Sequence, residues 1–221
     1  MKVVSRRTLW EGHYLRSVLV EYIDERDHNP APNPSSDPAS DLATGPLSNP
    51  GSNPESDKPQ KVRNWETIER IGCSGVVVIV PFTDDGAVIL IRQYRPPVNA
   101  YVIELPAGLI DIGETEEASA RRELVEETGY EARDMDFLIS GPASSGSSSE
   151  ILDVFVASGL SFVGIGKRDE AENMETISVP LEKLDSEISR LEQEGNYIDL
   201  KVHGMIRLAK DFLEKKSARD L

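Results

Sequence analysis

"GLIDIGETEEASARRELVEETGY" runs from Gly108 to Tyr130, and its reading decides the fold. Glu123, Glu126 and Glu127 stand at i, i+3 and i+4. At about 100° per residue they fall within one arc of ~100° on a helix. Like charges so placed cost roughly a few tenths of a kcal/mol. A solvated acidic face tolerates that cost, and so does a metal site, where a cation removes the repulsion. Carboxylate oxygens of this kind suit Mg²⁺ or Mn²⁺. Ala118, Ala120, Leu124 and Val125 fall on the other sides and can face a core, so the carboxylates need not face solvent. The pattern predicts a helix over 115–128. Thr115 serves as N-cap, Glu116 and Glu117 suit the positive end of the dipole, and Gly129 suits the left-handed residue after the last turn.

Strand signals lie on both sides of this helix. Residues 14–23 and 62–71 read as strands. "GVVVIVPF" (75–82) and "AVILIRQYR" (87–95) flank "TDDG", a hairpin signal. Both runs are almost continuously apolar, as strands buried on both faces require. "AYVIELPAG" reads as one more short strand, and "DFLISGPAS" and "ILDVFVASG" as two strands around a Ser/Gly loop. The chain passes from strand to helix at Pro180, where Leu181, Leu184, Ile188 and Leu191 keep a helical stripe. A last helix over about 199–216 carries Val202, Met205, Ile206, Ala209, Phe212 and Leu213. Such a mixture predicts strands sandwiched by helices.

Between the first two strands lies Asn29–Gln60. It holds eight of the fourteen prolines, no aromatic residue, and only Leu42 and Leu47 as large apolar side chains. Such a composition cannot bury enough surface to offset its ordering entropy, so it is expected to be a disordered insertion. The residues upstream are too few for a separate domain.

Charge and composition exclude several functions. The formal net charge is −15 and the pI about 4.7. That field repels nucleic-acid backbones, and an anionic substrate would need local arginine, lysine or a metal. One cysteine, Cys73, rules out an internal disulfide framework or a cysteine-rich zinc site. The three histidines, His13, His28 and His203, are far apart in sequence. The opening "MKVVSRRTLWEGHY" lacks the apolar core of a signal peptide, and "GVVVIVPF" is too short to span a bilayer. A soluble cytoplasmic protein is expected, with no membrane or nucleic-acid partner.

The spacing around the glutamates is more specific than the cluster alone. Gly108, Glu114, Arg122, Glu123, Glu126, Glu127 and Gly129 stand at the offsets of the Nudix box, and the stretch resembles the Nudix hydrolase family. At ordinary residue frequencies, a chance match of seven letters at one position is on the order of 10⁻⁸. The resemblance implies an α/β/α sandwich carrying a loop–helix–loop, and hydrolysis of a nucleoside diphosphate linked to another group. Carried over, Glu123 and Glu127 would hold divalent metal, Mg²⁺ or Mn²⁺, with Glu126 supporting them. The carbonyl of Ala107 would be a further ligand. Arg122 would brace the site by pairing with Glu114 or Glu126.

The flanks narrow the resemblance. "RQYRPPVNAYVIELPAGLID" (92–111) and "NWETIERIGCSGVVVIV" (64–80) are similar to the ADP-ribose and ADP-sugar pyrophosphatase branch. There the residue matching Trp65 stacks on adenine, Arg70 and Arg95 bind phosphates, and Tyr14 falls where a second aromatic stacker sits. The first strands of that branch form a small antiparallel subdomain that builds a homodimer. The implied organisation is a β subdomain over 1–28 and 61–74, the insertion over 29–60, and the hydrolase domain over 75–221. Two acidic residues compete for the general base. Glu172, with Glu170 as a register alternative, lies in a loop that closes over substrate in the branch, and Glu150 follows the Ser/Gly loop. Glu172 is the favoured base, and Glu150 is expected to shape the sugar pocket.

Two departures stand out. Met174 replaces an acidic residue, and Ser145 stands where ADP-ribose enzymes carry a proline, with Pro142 three residues early. The second leaves open another nucleoside-diphosphate sugar, or an oxidised nucleoside diphosphate. A non-catalytic ligand sensor on the same fold is the reading from a different class. Such sensors lose box glutamates and gain a DNA-binding domain, whereas this box is intact.

Overall fold

The computed structural model describes residues 1–28, 61–164 and 174–218. The insertion expected at Asn29–Gln60, and the loop with Glu170 and Glu172, lie outside the described residues. The chain divides into two compact units, Met1–Glu69 and Arg70–Leu221.

The first unit is built on three antiparallel or adjacent strands in the order β1-β2-β3: β1 (Lys2–Glu11), β2 (Leu15–Ile23) and β3 (Val62–Arg70). Strand β1 has no counterpart in the sequence reading. Nine of its ten residues are exposed, so no buried alternation marks it; pairing with β2 makes it a strand. Glu69 takes Arg6 at 2.5 Å and Arg16 at 2.8 Å. The nearly buried Asp24 accepts from both the backbone and the side chain of Arg26, which holds its carboxyl well below the usual range.

The second unit is an α/β/α sandwich. Its strands are β4 (Cys73–Pro81), β5 (Ala87–Arg95), β6 (Ala100–Glu104), β7 (Ala107–Asp111), β8 (Tyr130–Pro142), β9 (Ile151–Phe162), β10 (Met174–Pro180) and β11 (Tyr197–Ile198). Its helices are α1 (Glu116–Thr128), α2 (Leu184–Gln193) and α3 (Lys201–Ser217). The strands form two four-stranded sheets, β7-β4-β9-β8 and β10-β5-β6-β11.

This division corrects the hairpin expected at "TDDG". The turn is present, with Gly86 at φ 83° and its N–H donating to Thr83 O at 3.1 Å. Yet β4 and β5 belong to different sheets, joined only by the isolated bridge Phe82↔Val88. Both edges of β4 are taken, by antiparallel β7 and parallel β9. The two runs meet face to face instead. Val76, Val78 and Val80 of β4 share a core with Val88 and Leu90 of β5, Ile103 of β6, Val154 and Val156 of β9, and the stripes of α2 and α3. Val77 and Ile79 face the other way, into a second core with Ile110, Met135, Phe155 and the Ala120 and Leu124 of α1. A strand buried on both faces has no room for polar alternation. The same change of sheet splits "AYVIELPAG", read as one strand, into β6 and β7 at Leu105-Pro106. Pro106 cannot donate, but its carbonyl accepts from Ile79 N at 2.8 Å.

Helix α1 begins and ends as its sequence signals require. The Thr115 side chain accepts from Ala118 N at 3.2 Å, and Gly129 is left-handed at φ 77°. Its buried face is Ser119, Ala120, Leu124 and Thr128. Ala118, expected among the core-facing residues, is exposed, and the small Ser119 takes the buried place.

Candidate active site

The carboxylates and arginines singled out in the sequence converge where the chain changes sheets. Strand β5 ends at Arg95, β6 ends at Glu104, β7 starts at Ala107, and α1 follows β7 through a tight turn at left-handed Gly113. Arg70, Arg95, Ala107, Gly108, Arg122, Glu123, Glu126 and Glu127 line one cavity of about 570 Å³, the size of a small-molecule site. All belong to the Arg70–Leu221 unit.

Arg122 organises the acidic wall. Its Nε and Nη2 donate to the two oxygens of Glu114, at 3.2 and 3.0 Å. Nη2 also donates to Leu109 O at 3.0 Å, and Nη1 to Glu123 Oε1 at 2.6 Å and Glu126 Oε2 at 3.2 Å. Five bonds match the five donors of a guanidinium. The sequence left the partner open between Glu114 and Glu126; Arg122 takes both, and Glu123 besides. Glu114 also accepts from Ser119 Oγ at 2.6 Å. Arg122 first, and Ser119 second, lower the Glu114 carboxyl from 4.5 to about 2. In return Glu114 chiefly raises the pKa of Arg122 above its ordinary value.

Glu123 and Glu127 are seated by backbone. Glu127 Oε2 accepts from Ala107 N at 2.9 Å. Gly108 packs directly on the Glu123 carboxylate, and a Cβ there would overlap the Glu123 Cδ and both oxygens. That close approach is why position 108 carries glycine. The wall therefore offers hard carboxylate oxygens beside the backbone of Ala107, a set that fits Mg²⁺ or Mn²⁺. Among the described residues no group of three or more His, Cys, Asp or Glu side chains is already assembled as a metal cage. In their place, Arg122 holds Glu123 and Glu126, and the Ala107 N–H holds Glu127.

The opposite charge is also present. Arg70 pairs with Glu150, and Arg95 with Glu104 at 2.7 Å. The Ser/Gly loop places Glu150 through Ala143 N→Glu150 O (3.0 Å) and Glu150 N→Ser148 Oγ (3.0 Å). Trp65 and Tyr14 lie in the Met1–Glu69 unit, where they are 50% and 71% exposed. Tyr14 meets His13 edge to face at 4.4 Å. Glu172 and Glu170 are outside the described residues. Four lining residues escaped the sequence reading of the site: Val76, Gln93, Leu109 and Asp111. Gln93 had a signal, since it is a polar residue on an apolar strand and is nearly buried. Met174 lines the cavity where an acidic residue was expected by resemblance.

Comparisons with known proteins bear on the family and the fold. A NUDIX domain matches residues 74–199, more than half of the chain. A methanol dehydrogenase activator of Bacillus methanolicus is 41% identical over 87 residues, which cover 39% of this chain and 47% of that protein. An ADP-ribose pyrophosphatase of Bacillus subtilis (strain 168) is 38% identical over 109 residues, covering 49% and 59%. The chain thus spans about half the length of these two relatives. The crystal structure of an ADP compounds hydrolase superposes with TM-score 0.66 at 21% identity, covering 97% of this chain and 95% of that one, a likeness of fold. Among the described residues no helix is long and apolar enough to cross a membrane. The matched span holds the loop, the helix and most of the strands around the cavity, and the chain belongs to the Nudix family.

Proposed function

We propose that this chain is a Mg²⁺-dependent pyrophosphatase that cleaves ADP-ribose, or a related ADP-sugar, into AMP and a sugar phosphate in the cytoplasm. The observation that carries the reading is the cavity with an acidic wall ordered by Arg122 and two arginines, Arg70 and Arg95, on its lining. A diphosphate needs both: guanidinium groups for its oxygens, and a cation to bring it against glutamates. The name of the Bacillus subtilis relative supports the substrate class.

Glu123, Glu127 and the Ala107 carbonyl would hold the cation, which when bound neutralises phosphoryl oxygens and acidifies a water. Arg70 and Arg95 would bind the diphosphate and fix its orientation. Arg122 would keep Glu123 and Glu126 in place as the substrate charge enters, and Glu126 would support the ligands. Glu150 would set Arg70 and, through the Ser/Gly loop, the sugar pocket. Trp65 and Tyr14 would stack on adenine. Water attacks phosphorus, the bridging P–O bond breaks, and the water's proton passes to a carboxylate, assigned on sequence to Glu172. The exposed Trp10, Tyr14, Trp65 and Ile68 support a second copy of the chain as partner of the Met1–Glu69 unit.

A panel of nucleotide sugars and oxidised nucleoside diphosphates, incubated with Mg²⁺ or with EDTA and resolved by anion exchange, tests this. AMP and ribose 5-phosphate from ADP-ribose, with Mg²⁺ only, are the expected products. Faster turnover of a non-adenine substrate would reassign the specificity.

A further inference from the structure

Arg95 lines the cavity, but the residue that holds it does not. Ile91, Gln93 and Arg95 share one face of β5, and their cross-strand partners Glu104, Val102 and Ala100 share that face of β6. Arg95 Nε donates to Glu104 Oε2 at 2.8 Å, and its Nη2 lies 2.7 Å from the same oxygen. The Glu104 side chain is 14% exposed and that of Arg95 43%. These contacts occupy one edge of the guanidinium, which has donors on two further edges. The better shielded partner is therefore the anchor, and the more exposed one keeps donors for an anion.

We propose that Glu104 is a positioning residue for the diphosphate. It docks the Nε edge of Arg95, so that the remaining donors of the fork meet a phosphoryl oxygen in the cavity. This rests on the pyrophosphatase reading for the identity of the anion. A pair that merely joins β5 to β6 would affect stability alone. A carboxylate that acts as a bare negative charge would weaken anion binding, and removing its charge would strengthen it.

Three measurements separate these roles: KM and kcat for ADP-ribose with Mg²⁺, the Kd of inorganic pyrophosphate by calorimetry, and Tm. Glu104→Leu keeps most of the volume and removes the acceptor. It is expected to raise both KM and the pyrophosphate Kd about tenfold, with kcat within about threefold. Both contacts reach one oxygen, so the single amide oxygen of Glu104→Gln can replace it, and this variant should stay within about threefold of wild type. In an Arg95→Ala background, Glu104→Leu should add nothing further. Should Glu104→Leu not fold, Arg95→Lys serves in its place, because an ammonium has no second edge to present, and pyrophosphate binding should weaken to a similar degree. The proposal is overturned if Glu104→Leu or Arg95→Lys leaves the pyrophosphate Kd unchanged, if Glu104→Gln binds as poorly as Glu104→Leu or much more tightly than wild type, or if the effects add to Arg95→Ala. A wild type that binds pyrophosphate but does not hydrolyse ADP-ribose refutes the substrate reading and leaves the comparison of Kd values to decide the role of Glu104.

Discussion

At the residue scale, Arg122 and Gly108 show what a sequence pattern leaves unsaid. Spacing put Glu123, Glu126 and Glu127 on one arc, and the structure leaves them half-buried along the cavity. Spacing could not show that one arginine would hold three carboxylates and a carbonyl, because those contacts depend on where β7 passes the helix. Nor could it show that Gly108 lies against the Glu123 carboxylate, a contact made across the turn at Gly113. The contact sets an expectation for Gly108→Ala. The obstructing atoms are the end of a flexible side chain, so the protein should fold, with Tm lowered by no more than a few degrees. Glu123 must swing away, and turnover should fall roughly 10²-fold, as for other small misplacements of a catalytic group. Circular dichroism and a Mg²⁺ titration of activity check both parts. Wild-type turnover in a folded Gly108→Ala protein would remove Glu123 from the reacting centre. Gln93 and Glu104 are the opposite case. Both were visible as polar letters in apolar strands, but only the register of β5 on β6 shows that Gln93 shares the face of Arg95 and that Glu104 is within reach to hold it.

At the element scale, α1 was the most legible part, because its start and stop are local chemistry. Thr115 caps it, Gly129 ends it, and Ala120 and Leu124 bury its inner face. Strands were legible as strands but not as partners. Two apolar runs joined by a turn read as a hairpin. Here β4 and β5 part into different sheets, since β7 and β9 already fill the edges of β4. Edge strands were the least legible: β8 starts at Tyr130, six residues before its reading, in a stretch of alternating exposed charge. The turn into α1 also carries a pH dependence. The Glu114 carboxyl is held at about 2, against 4.5 when free, by Arg122 and then Ser119. A lowered carboxyl pKa stabilises the fold fully above the unfolded value. That contribution is lost as the pH falls from about 4.5 through about 2. Glu114→Gln should therefore lower Tm at neutral pH, and the gap to wild type should close as the pH falls toward 2. Thermal melts of both proteins across that range check it, and parallel curves would mean that the Glu114 pair contributes nothing to folding.

At the scale of the whole molecule, the net charge of −15 and the proposed function are reconciled locally. An acidic protein admits an anionic substrate only where arginines line the site or a cation intervenes, and the cavity carries Arg70, Arg95 and Arg122 beside carboxylates suited to a cation. Two of the chain's changes of sheet, at Phe82–Ala87 and at Leu105-Pro106, bring the ends of β5 and β6 and the start of β7 to one place. No local signal in the sequence announces that. The Met1–Glu69 unit exposes Trp10, Tyr14, Trp65 and Ile68, and light scattering should give twice the chain mass in solution. Trp10→Glu together with Ile68→Glu should shift that mass toward the monomer, and a wild type already monomeric at micromolar concentration would contradict the assignment of a second copy. The central claim is that the glutamates of α1 serve a cation-dependent cleavage of a nucleoside diphosphate. It is tested most directly by following ADP-ribose with Mg²⁺ by phosphorus NMR, with wild type beside Glu127→Gln. The amide oxygen can still accept from Ala107 N, so the variant should keep its fold. Wild type is expected to convert the two diphosphate resonances into AMP and ribose 5-phosphate, and Glu127→Gln to do so at least about 10²-fold more slowly. Equal rates in the two proteins, or cleavage by wild type undiminished in EDTA, would contradict it.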